Sequence, residues 1–216
     1  MIYRAVLFDL DGTLLDTLRD IADATNQALG RLGFPRHETE AYKCFIGEGR
    51  EVLALRALPE QHRNAATVSR LVAGINEEYS RCWADHTHPY QGIPGLLDDL
   101  AARNIRMAVL SNKAHDLTEM MVSGMLAEWH FEMVIGASPA APRKPDPTTA
   151  LQIARRLEIH PAEFIYLGDS AIDMKTATGA GMYPVGASWG FSPADELLRA
   201  GARAVIAQPE ELLRLL

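Results

Sequence analysis

Six short runs of consecutive apolar residues constrain the fold of this chain most strongly. Each run is followed by a polar turn and then by a segment in which apolar residues recur at helical spacing. Continuous rather than alternating hydrophobicity is typical of strands buried on both faces, as in a parallel sheet covered by helices. The pattern therefore predicts a doubly wound α/β fold. The six predicted strands are 5–8, 107–110, 133–135, 164–167, 183–185 and 204–206.

Prolines mark the starts of two of the intervening helices. Pro94 precedes three leucines at helical spacing, which suits a proline in the first turn of a helix. The pair Asp146-Pro147 precedes another apolar stretch of helical period, so we predict Asp146 as the N-cap and Pro147 as the first helical residue.

One region lacks the strand pattern. Between about Asp16 and Cys82, apolar residues recur at helical spacing in three successive stretches. We predict an all-helical insertion over 16–82, placed within an α/β core made of 1–15 and 83–216. The two connections of such an insertion should lie close together and could act as a hinge.

Composition and charge exclude several classes of protein. The chain has 216 residues and a formal net charge of −7, with Lys and Arg scattered, so it offers no electrostatic attraction to nucleic acid or to an anionic membrane. No apolar stretch suffices for a signal peptide or a membrane span, so we expect a cytoplasmic protein. Cys44 and Cys82 lack metal or disulfide spacing and are predicted to be reduced thiols. The chain could be a monomer or a homodimer.

The segment Asp9-Leu10-Asp11-Gly12-Thr13 directly follows the first predicted strand. Ligands of open α/β sheets bind at the carboxyl ends of the strands, and alternate residues of an extended segment face the same way. Asp9 and Asp11 are therefore expected to converge on one site, with Gly12 permitting the turn. A simple turn with a helix cap would use the same residue types.

Three further polar segments lie at or near predicted strand ends. Ser111-Asn112-Lys113 follows the second strand, and we expect it at a helix start. Backbone N–H groups at a helix N-terminus commonly bind phosphate. Lys144 lies in a loop with three prolines, and Asp169 and Asp173 are spaced one helical turn apart after the fourth strand. Taken singly, these residues have ordinary explanations as a cap, a surface lysine and acids that complement a helix dipole.

In order and placement together, the four segments resemble the motifs of the haloacid dehalogenase superfamily. The chain is most similar to its phosphoglycolate phosphatase-type branch, which carries a helical cap inserted after the first motif. The resemblance covers essentially the whole chain. It implies a Mg²⁺-dependent phosphatase that hydrolyses a small phosphorylated metabolite, such as a phosphoglycolate-type phosphomonoester, through a phospho-aspartate.

The resemblance also implies roles for the acids. Asp9 would attack phosphorus, and Asp11 would protonate the leaving oxygen and later activate water. Mg²⁺ would bind Asp9, the main-chain carbonyl of Asp11 and Asp169, which suits the preference of Mg²⁺ for oxygen ligands. Asp173 would orient metal-bound water or Lys144, or would bind the metal directly.

Other residues would bind the phosphoryl group. Lys144 would place a fixed positive charge beside it, and the Ser111 hydroxyl and the Asn112 amide would donate hydrogen bonds to its oxygens. Thr13 would help to position Asp11, or would be a local turn hydroxyl.

In the insertion, the resemblance implies a segment that closes over the site and screens substrates. Gly47 permits close approach of the backbone to a ligand, and Arg50 could pair with a substrate carboxylate. A glycine-rich helix entry with Arg50 in solvent explains the same residues.

Four alternative functions remain at the sequence level. A dehalogenase would not need Asp11, and a phosphonate-cleaving enzyme needs a lysine where Arg50 stands, although Lys43 is nearby. A sugar-phosphate mutase shares all four motifs. A non-catalytic binding module would leave the joint presence of these acids and Lys144 without a purpose.

Overall fold

The computed structural model of the protein describes residues 3–139 and 141–216. The strands are β1 (Ala5–Phe8), β2 (Leu15–Asp16), β3 (His88–Pro89), β4 (Arg106–Ala114), β5 (Met133–Ala137), β6 (Phe164–Gly168), β7 (Tyr183–Ala187) and β8 (Ala204–Ile206). The α-helices are α1 (Leu18–Arg31), α2 (Arg50–Ala57), α3 (Ala65–Cys82), α4 (Ile93–Ala102), α5 (His115–Met125), α6 (Thr148–Leu157), α7 (Ala171–Ala180) and α8 (Ala194–Arg199). Short 3-10 helices occupy Thr39–Cys44, Glu60–His62, Pro161–Glu163 and Pro209–Arg214.

Within the described residues, six strands form one parallel sheet in the order β5-β4-β1-β6-β7-β8. All four residues of the central strand β1 are fully buried. Helices therefore cover both faces of the sheet, which explains why its strands are continuously apolar. The predicted α/β class and all six predicted strands are confirmed.

The chain divides into two compact units. The core unit comprises Met1–Leu15 and Pro89–Leu216, and the helical unit comprises Asp16–His88. In the core unit, one apolar cluster joins β1, β4 and β6 to small and branched residues of α6 and α7, among them Ala150, Ile153 and Ala177. In the helical unit, α1, α2 and α3 supply buried apolar residues such as Leu29, Leu53 and Leu71.

The helical unit extends further along the chain than the sequence pattern predicts. It ends at His88, whereas the loss of helical period suggested Cys82. The segment after α3 stays with this unit because the Asp20 carboxylate accepts hydrogen bonds from the backbone N–H groups of His86 and Thr87, at 3.0 and 2.8 Å. Those bonds involve no apolar residues, so hydrophobic spacing carries no sign of them.

The two proline-marked helix starts differ in outcome. Pro94 lies in the first turn of α4, as predicted. Pro147 is the N-cap of α6 rather than its first helical residue, because the Asp146 carboxylate accepts from the Thr148 N–H at 2.8 Å and the helix begins there. Among the described residues, no helix combines the length and the apolar character needed to cross a bilayer.

Candidate active site

The first and fourth predicted segments leave adjacent strands at the same edge of the sheet. Asp9 follows β1 and Asp169 follows β6, and the two strands pair with Phe8 opposite Leu167. Asp173 lies in the first turn of α7, the helix that follows β6. The parallel register therefore delivers acids that are distant in sequence to one location.

Asp9, Asp169 and Asp173 form a buried cluster of carboxylates. Each offers an oxygen that lies within 4.8 Å of the others, and all three side chains are buried. Burial and the neighbouring Asp173 carboxylate raise the pKa of Asp9 to about 7, although Lys144 opposes the rise. Burial, with repulsion from Asp9 and Asp173, also raises the pKa of Asp169 well above its ordinary value. The three carboxylates therefore repel one another at close range.

Lys144 supplies one positive charge to this cluster. Its Nζ lies 2.7 Å from Asp9 Oδ1 and 2.7 Å from Asp173 Oδ1. Burial disfavours its ammonium form, but the carboxylates of Asp173 and Asp9 outweigh burial and raise its pKa above the ordinary value. The predicted loop lysine is therefore a buried ion-pair partner rather than surface decoration.

The second segment lies in a strand and not at a helix start. β4 continues through Ala114 and α5 begins only at His115, so the helix start predicted at Ser111 and Asn112 is wrong, while their contact with a phosphate stays a prediction. The side-chain amide of Asn112 instead brackets the backbone of Lys144: it donates to the carbonyl at 3.0 Å and accepts from the N–H at 2.9 Å. Asn112 thereby fixes the loop that carries the lysine.

Asp11 has a partner that the sequence reasoning did not assign. The ammonium of Lys113 lies 2.8 Å from Asp11 Oδ1 and 3.1 Å from Oδ2, and both side chains are nearly buried. In the sequence, the sign that Lys113 could belong to the site is its position directly after Ser111-Asn112. Its partner is 102 residues away in sequence, so local spacing could not identify the pair.

Asp173 is anchored on both of its oxygens. Ser170 donates to Oδ2 from its hydroxyl at 2.6 Å and from its backbone N–H at 3.1 Å, while the Tyr166 hydroxyl donates to Oδ1 at 3.3 Å. Ser170 and Asp173 form a capping box, which is a signal that can be found in sequence. These contacts hold Asp173 in place beside Lys144.

Asp169 is held by a loop after β7. The Phe191 N–H donates to its Oδ2 at 2.7 Å, and the Thr13 hydroxyl donates to its Oδ1 at 3.4 Å. The Thr13 hydroxyl thus contacts Asp169, and its role in positioning Asp11 stays a prediction. The indole N–H of Trp189 donates to the Thr13 carbonyl at 3.0 Å, so the loop fixes both Asp169 and the backbone after Asp11.

Gly190 is required where this loop passes the acid. A Cβ at this position would lie 2.3 Å from the Cβ of Asp169 and 2.3 Å from the carbonyl oxygen of Gly12. Gly168 has a similar role, since its Cβ would lie 2.3 Å from that of Asp173. Two acids of the cluster therefore each lie against a glycine that leaves room for them.

The two candidate residues of the helical unit are Gly47 and Arg50. Gly47 adopts a φ of 114°, a backbone conformation that favours glycine. Arg50 begins α2, donates to Asn76 Oδ1 and lies 5.5 Å from the centre of the Tyr79 ring. The contact of Gly47 and Arg50 with a substrate stays a prediction.

The charge balance of the core site fits a divalent cation. The site contains four carboxylates and two ammonium groups, so its formal charge at full ionisation is −2. The carboxylates belong to Asp9, Asp11, Asp169 and Asp173, and the ammonium groups to Lys113 and Lys144. Carboxylate oxygens alone suit a hard cation, and such a charge would relieve the repulsion that, together with burial, raises the pKa of Asp9 and of Asp169.

The sequence of the chain matches that of a known family along most of its length. The model of the haloacid dehalogenase-like hydrolases matches residues 6–187. The chain belongs to this family. As a haloacid dehalogenase-like hydrolase, it shares its fold and its overall sequence pattern with the following relatives.

Its curated relatives include the phosphoglycolate phosphatase of Chromobacterium violaceum, which is 30% identical over 197 residues, or 90% of this chain and 89% of that protein. The phosphoglycolate phosphatase of Nitrosospira multiformis is 29% identical, with 99% of this chain and 95% of that protein covered. Among solved structures, a candidate phosphoglycolate phosphatase of Lactobacillus delbrueckii subsp. bulgaricus superposes with a TM-score of 0.94 at 27% identity, covering 100% of this chain and 98% of that one.

Proposed function

We propose that this haloacid dehalogenase-like hydrolase is a Mg²⁺-dependent phosphatase of small phosphorylated metabolites of the phosphoglycolate type. One observation carries the proposal: Asp9, at the end of the central strand, is buried against Lys144 and two further acids. The arrangement supplies a nucleophile, a fixed positive charge and oxygen ligands within one site. The names of the curated relatives support the same substrate class.

In the first step, a carboxylate oxygen of Asp9 attacks phosphorus and a P–O bond to the leaving group breaks. The leaving oxygen takes a proton from Asp11, so an alcohol departs and a phospho-aspartate remains on Asp9. Lys144 stays within hydrogen-bond distance of Asp9 and offsets the repulsion between the carboxylate and the phosphate dianion. The Ser111 hydroxyl and the main-chain N–H of Asn112 donate to phosphoryl oxygens.

In the second step, Asp11 accepts a proton from water as the water oxygen attacks phosphorus. The bond between phosphorus and Asp9 breaks, inorganic phosphate leaves, and the Asp9 carboxylate and the Asp11 acid are restored. The two steps balance without any oxidant or further reactant. Lys113, which binds Asp11, and Asp173, which binds Lys144, keep the acid and the cation in place throughout.

Oxygen atoms of Asp9, Asp169 and the Asp11 main chain would hold Mg²⁺, with Asp173 adjacent. When bound, the ion would supply positive charge that stabilises the phosphoryl oxygens in the transition state. The buried cluster supports this assignment because its three acids repel one another, and the ammonium of Lys144 offsets only part of their negative charge.

The test is phosphate release by the purified protein, with Mg²⁺ or with a chelator, from an aryl phosphate and a panel of metabolite phosphates. We expect release that needs Mg²⁺ and that falls at least about a thousandfold in Asp9→Asn, because the variant keeps the shape and loses the nucleophile. Asp116→Asn, an exposed acid of α5, is the matched control and should retain activity.

The alternatives give different results. Phosphoryl transfer between positions of a sugar phosphate, without net release, would identify a mutase. No Mg²⁺-dependent turnover of any substrate would overturn the enzymatic assignment and favour a binding module.

A further inference from the structure

A second buried ion pair accompanies the proposed reaction centre. Lys113 Nζ contacts both oxygens of Asp11, at 2.8 and 3.1 Å, and the side chains are only 5% and 13% exposed. Lysine is almost never buried without a partner, because removing its charge from water is costly. A pair in this setting has few alternative arrangements, so its geometry is defined more sharply than that of a surface pair.

The two lysines of the site serve different acids. Lys144 binds Asp9 and Asp173, which belong to the three-carboxylate cluster. Lys113 binds Asp11, the acid that transfers protons in the proposed reaction. The nucleophile and the proton-transfer group are therefore held by separate cations.

The backbone that carries Lys113 is fixed on several sides. Its N–H donates to the Ser111 hydroxyl at 3.2 Å, and its carbonyl accepts from the Thr118 hydroxyl at 3.3 Å. Gly136 of β5 packs so closely that a Cβ there would lie 2.6 Å from the same carbonyl oxygen. A side chain mounted on such a rigid segment can orient its partner precisely.

We propose that Lys113 is a positioning residue that fixes the orientation of the Asp11 carboxylate for proton transfer to and from the substrate. The inference rests on the proposed function, since it assigns a role within that reaction. Contact with both oxygens sets the plane of the carboxylate. Without the ammonium, Asp11 can occupy other rotamers, and fewer molecules present the acid to the leaving oxygen.

This role differs from direct phosphate binding in how it depends on the leaving group. An alkoxide leaving group needs a proton, whereas a nitrophenolate leaves readily without one. Loss of orientation at Asp11 should therefore slow the hydrolysis of alkyl phosphates far more than that of nitrophenyl phosphate. Loss of a phosphate-binding cation would slow both classes by the same factor.

The experiment measures kcat/KM of Lys113→Met on an alkyl phosphate and on 4-nitrophenyl phosphate, because kcat/KM reports the step in which the leaving group departs. We expect a loss of about 10- to 100-fold on the alkyl phosphate and of less than about threefold on the aryl phosphate. Lys175→Met, an exposed lysine of α7, is the matched control and should change neither value.

A double-mutant cycle with Asp11→Asn provides the second measurement. If Lys113 acts through Asp11, Lys113→Met should not lower kcat/KM any further in the Asp11→Asn background. The double variant also avoids leaving a buried acid without its cation. Thermal denaturation of each variant identifies any loss of folded protein.

Equal losses on the two substrates, or a full additional loss in the Asp11→Asn background, would overturn the role of Lys113 while leaving the phosphatase assignment standing. A wild-type protein that hydrolyses neither substrate would overturn both proposals. The two failures are therefore distinguishable.

Discussion

Both units of this chain bury carboxylates, but the two units satisfy them differently. In the helical unit, the Asp20 carboxylate accepts from the N–H groups of His86 and Thr87 and from the Thr87 hydroxyl, at distances between 2.7 and 3.1 Å. In the core unit, Asp9 and Asp169 face each other and Asp173, and burial with mutual repulsion raises the pKa of both. Asp20 is held by backbone and hydroxyl donors, whereas the core acids face one another in addition to their own donors.

The difference separates structural acids from acids suited to chemistry. A carboxylate that local N–H and O–H groups satisfy stabilises the fold in which it sits. Carboxylates that crowd around a single ammonium destabilise the fold until a further cation arrives, and natural proteins keep such clusters at functional sites. The comparison predicts opposite responses to the removal of charge in the two units.

The largest effect is expected for Asp169→Asn in the core unit. Catalytic activity should fall at least about a thousandfold, because the variant loses a ligand charge for the proposed Mg²⁺. The melting temperature in a chelator should stay equal or rise, since the substitution removes one of three repelling charges. Enzyme assay and thermal denaturation of the same preparation test both parts. A lower melting temperature would place Asp169 with the structural acids and break the comparison.

The sequence predicts the fold of the core unit well because its physical cause is local. Strands buried on both faces must be apolar at every position, so the runs at 5–8 and 164–167 are visible without any partner. The acids after β1 and β6 follow from the same reasoning, because strand ends of a parallel sheet share one edge. These features need only a window of a few residues.

The contacts that complete the site are not local. Lys113 reaches Asp11 across 102 positions, and the Phe191 N–H reaches Asp169 across 22. Apolar periodicity has no bearing on such polar pairs. The helix start predicted at Ser111 is wrong because β4 continues to Ala114. Asp20 with Thr87, 67 positions apart, shifted the unit boundary for the same reason.

The next prediction concerns the structural acid of the helical unit. Asp20→Ala should lower the free energy of unfolding by about 2 to 3 kcal/mol, because the buried N–H and hydroxyl groups of residues 86 and 87 lose their acceptor. Asp23→Ala, on the same helix, is the control: Asp23 forms a half-exposed pair with Arg19 and should change stability by less than about 0.5 kcal/mol. Urea denaturation of both variants measures the difference. Equal stabilities of the two variants would mean that the Asp20 carboxylate does not stabilise the fold.

The smallest effect separates the geometry of the core acids from their charge. Gly190→Ala keeps every charge but places a Cβ 2.3 Å from the Cβ of Asp169 and 2.5 Å from its Oδ2, so the loop or the acid must move. Displacing a residue that orients a metal ligand typically costs tenfold or more, and we expect kcat/KM to fall at least about tenfold, or 1.4 kcal/mol.

Gly95→Ala is the matched control for this change. Gly95 lies in α4 with no atom within 4 Å of its Cβ position, so alanine should leave activity unchanged and raise helix stability slightly. Mg²⁺ affinity, measured by protection against thermal denaturation, should weaken in Gly190→Ala alone. If both glycine variants keep full activity and affinity, the position of Asp169 is not critical. The core acids would then differ from Asp20 only in the negative charges that surround them. The fold would not constrain their positions more closely than that of Asp20.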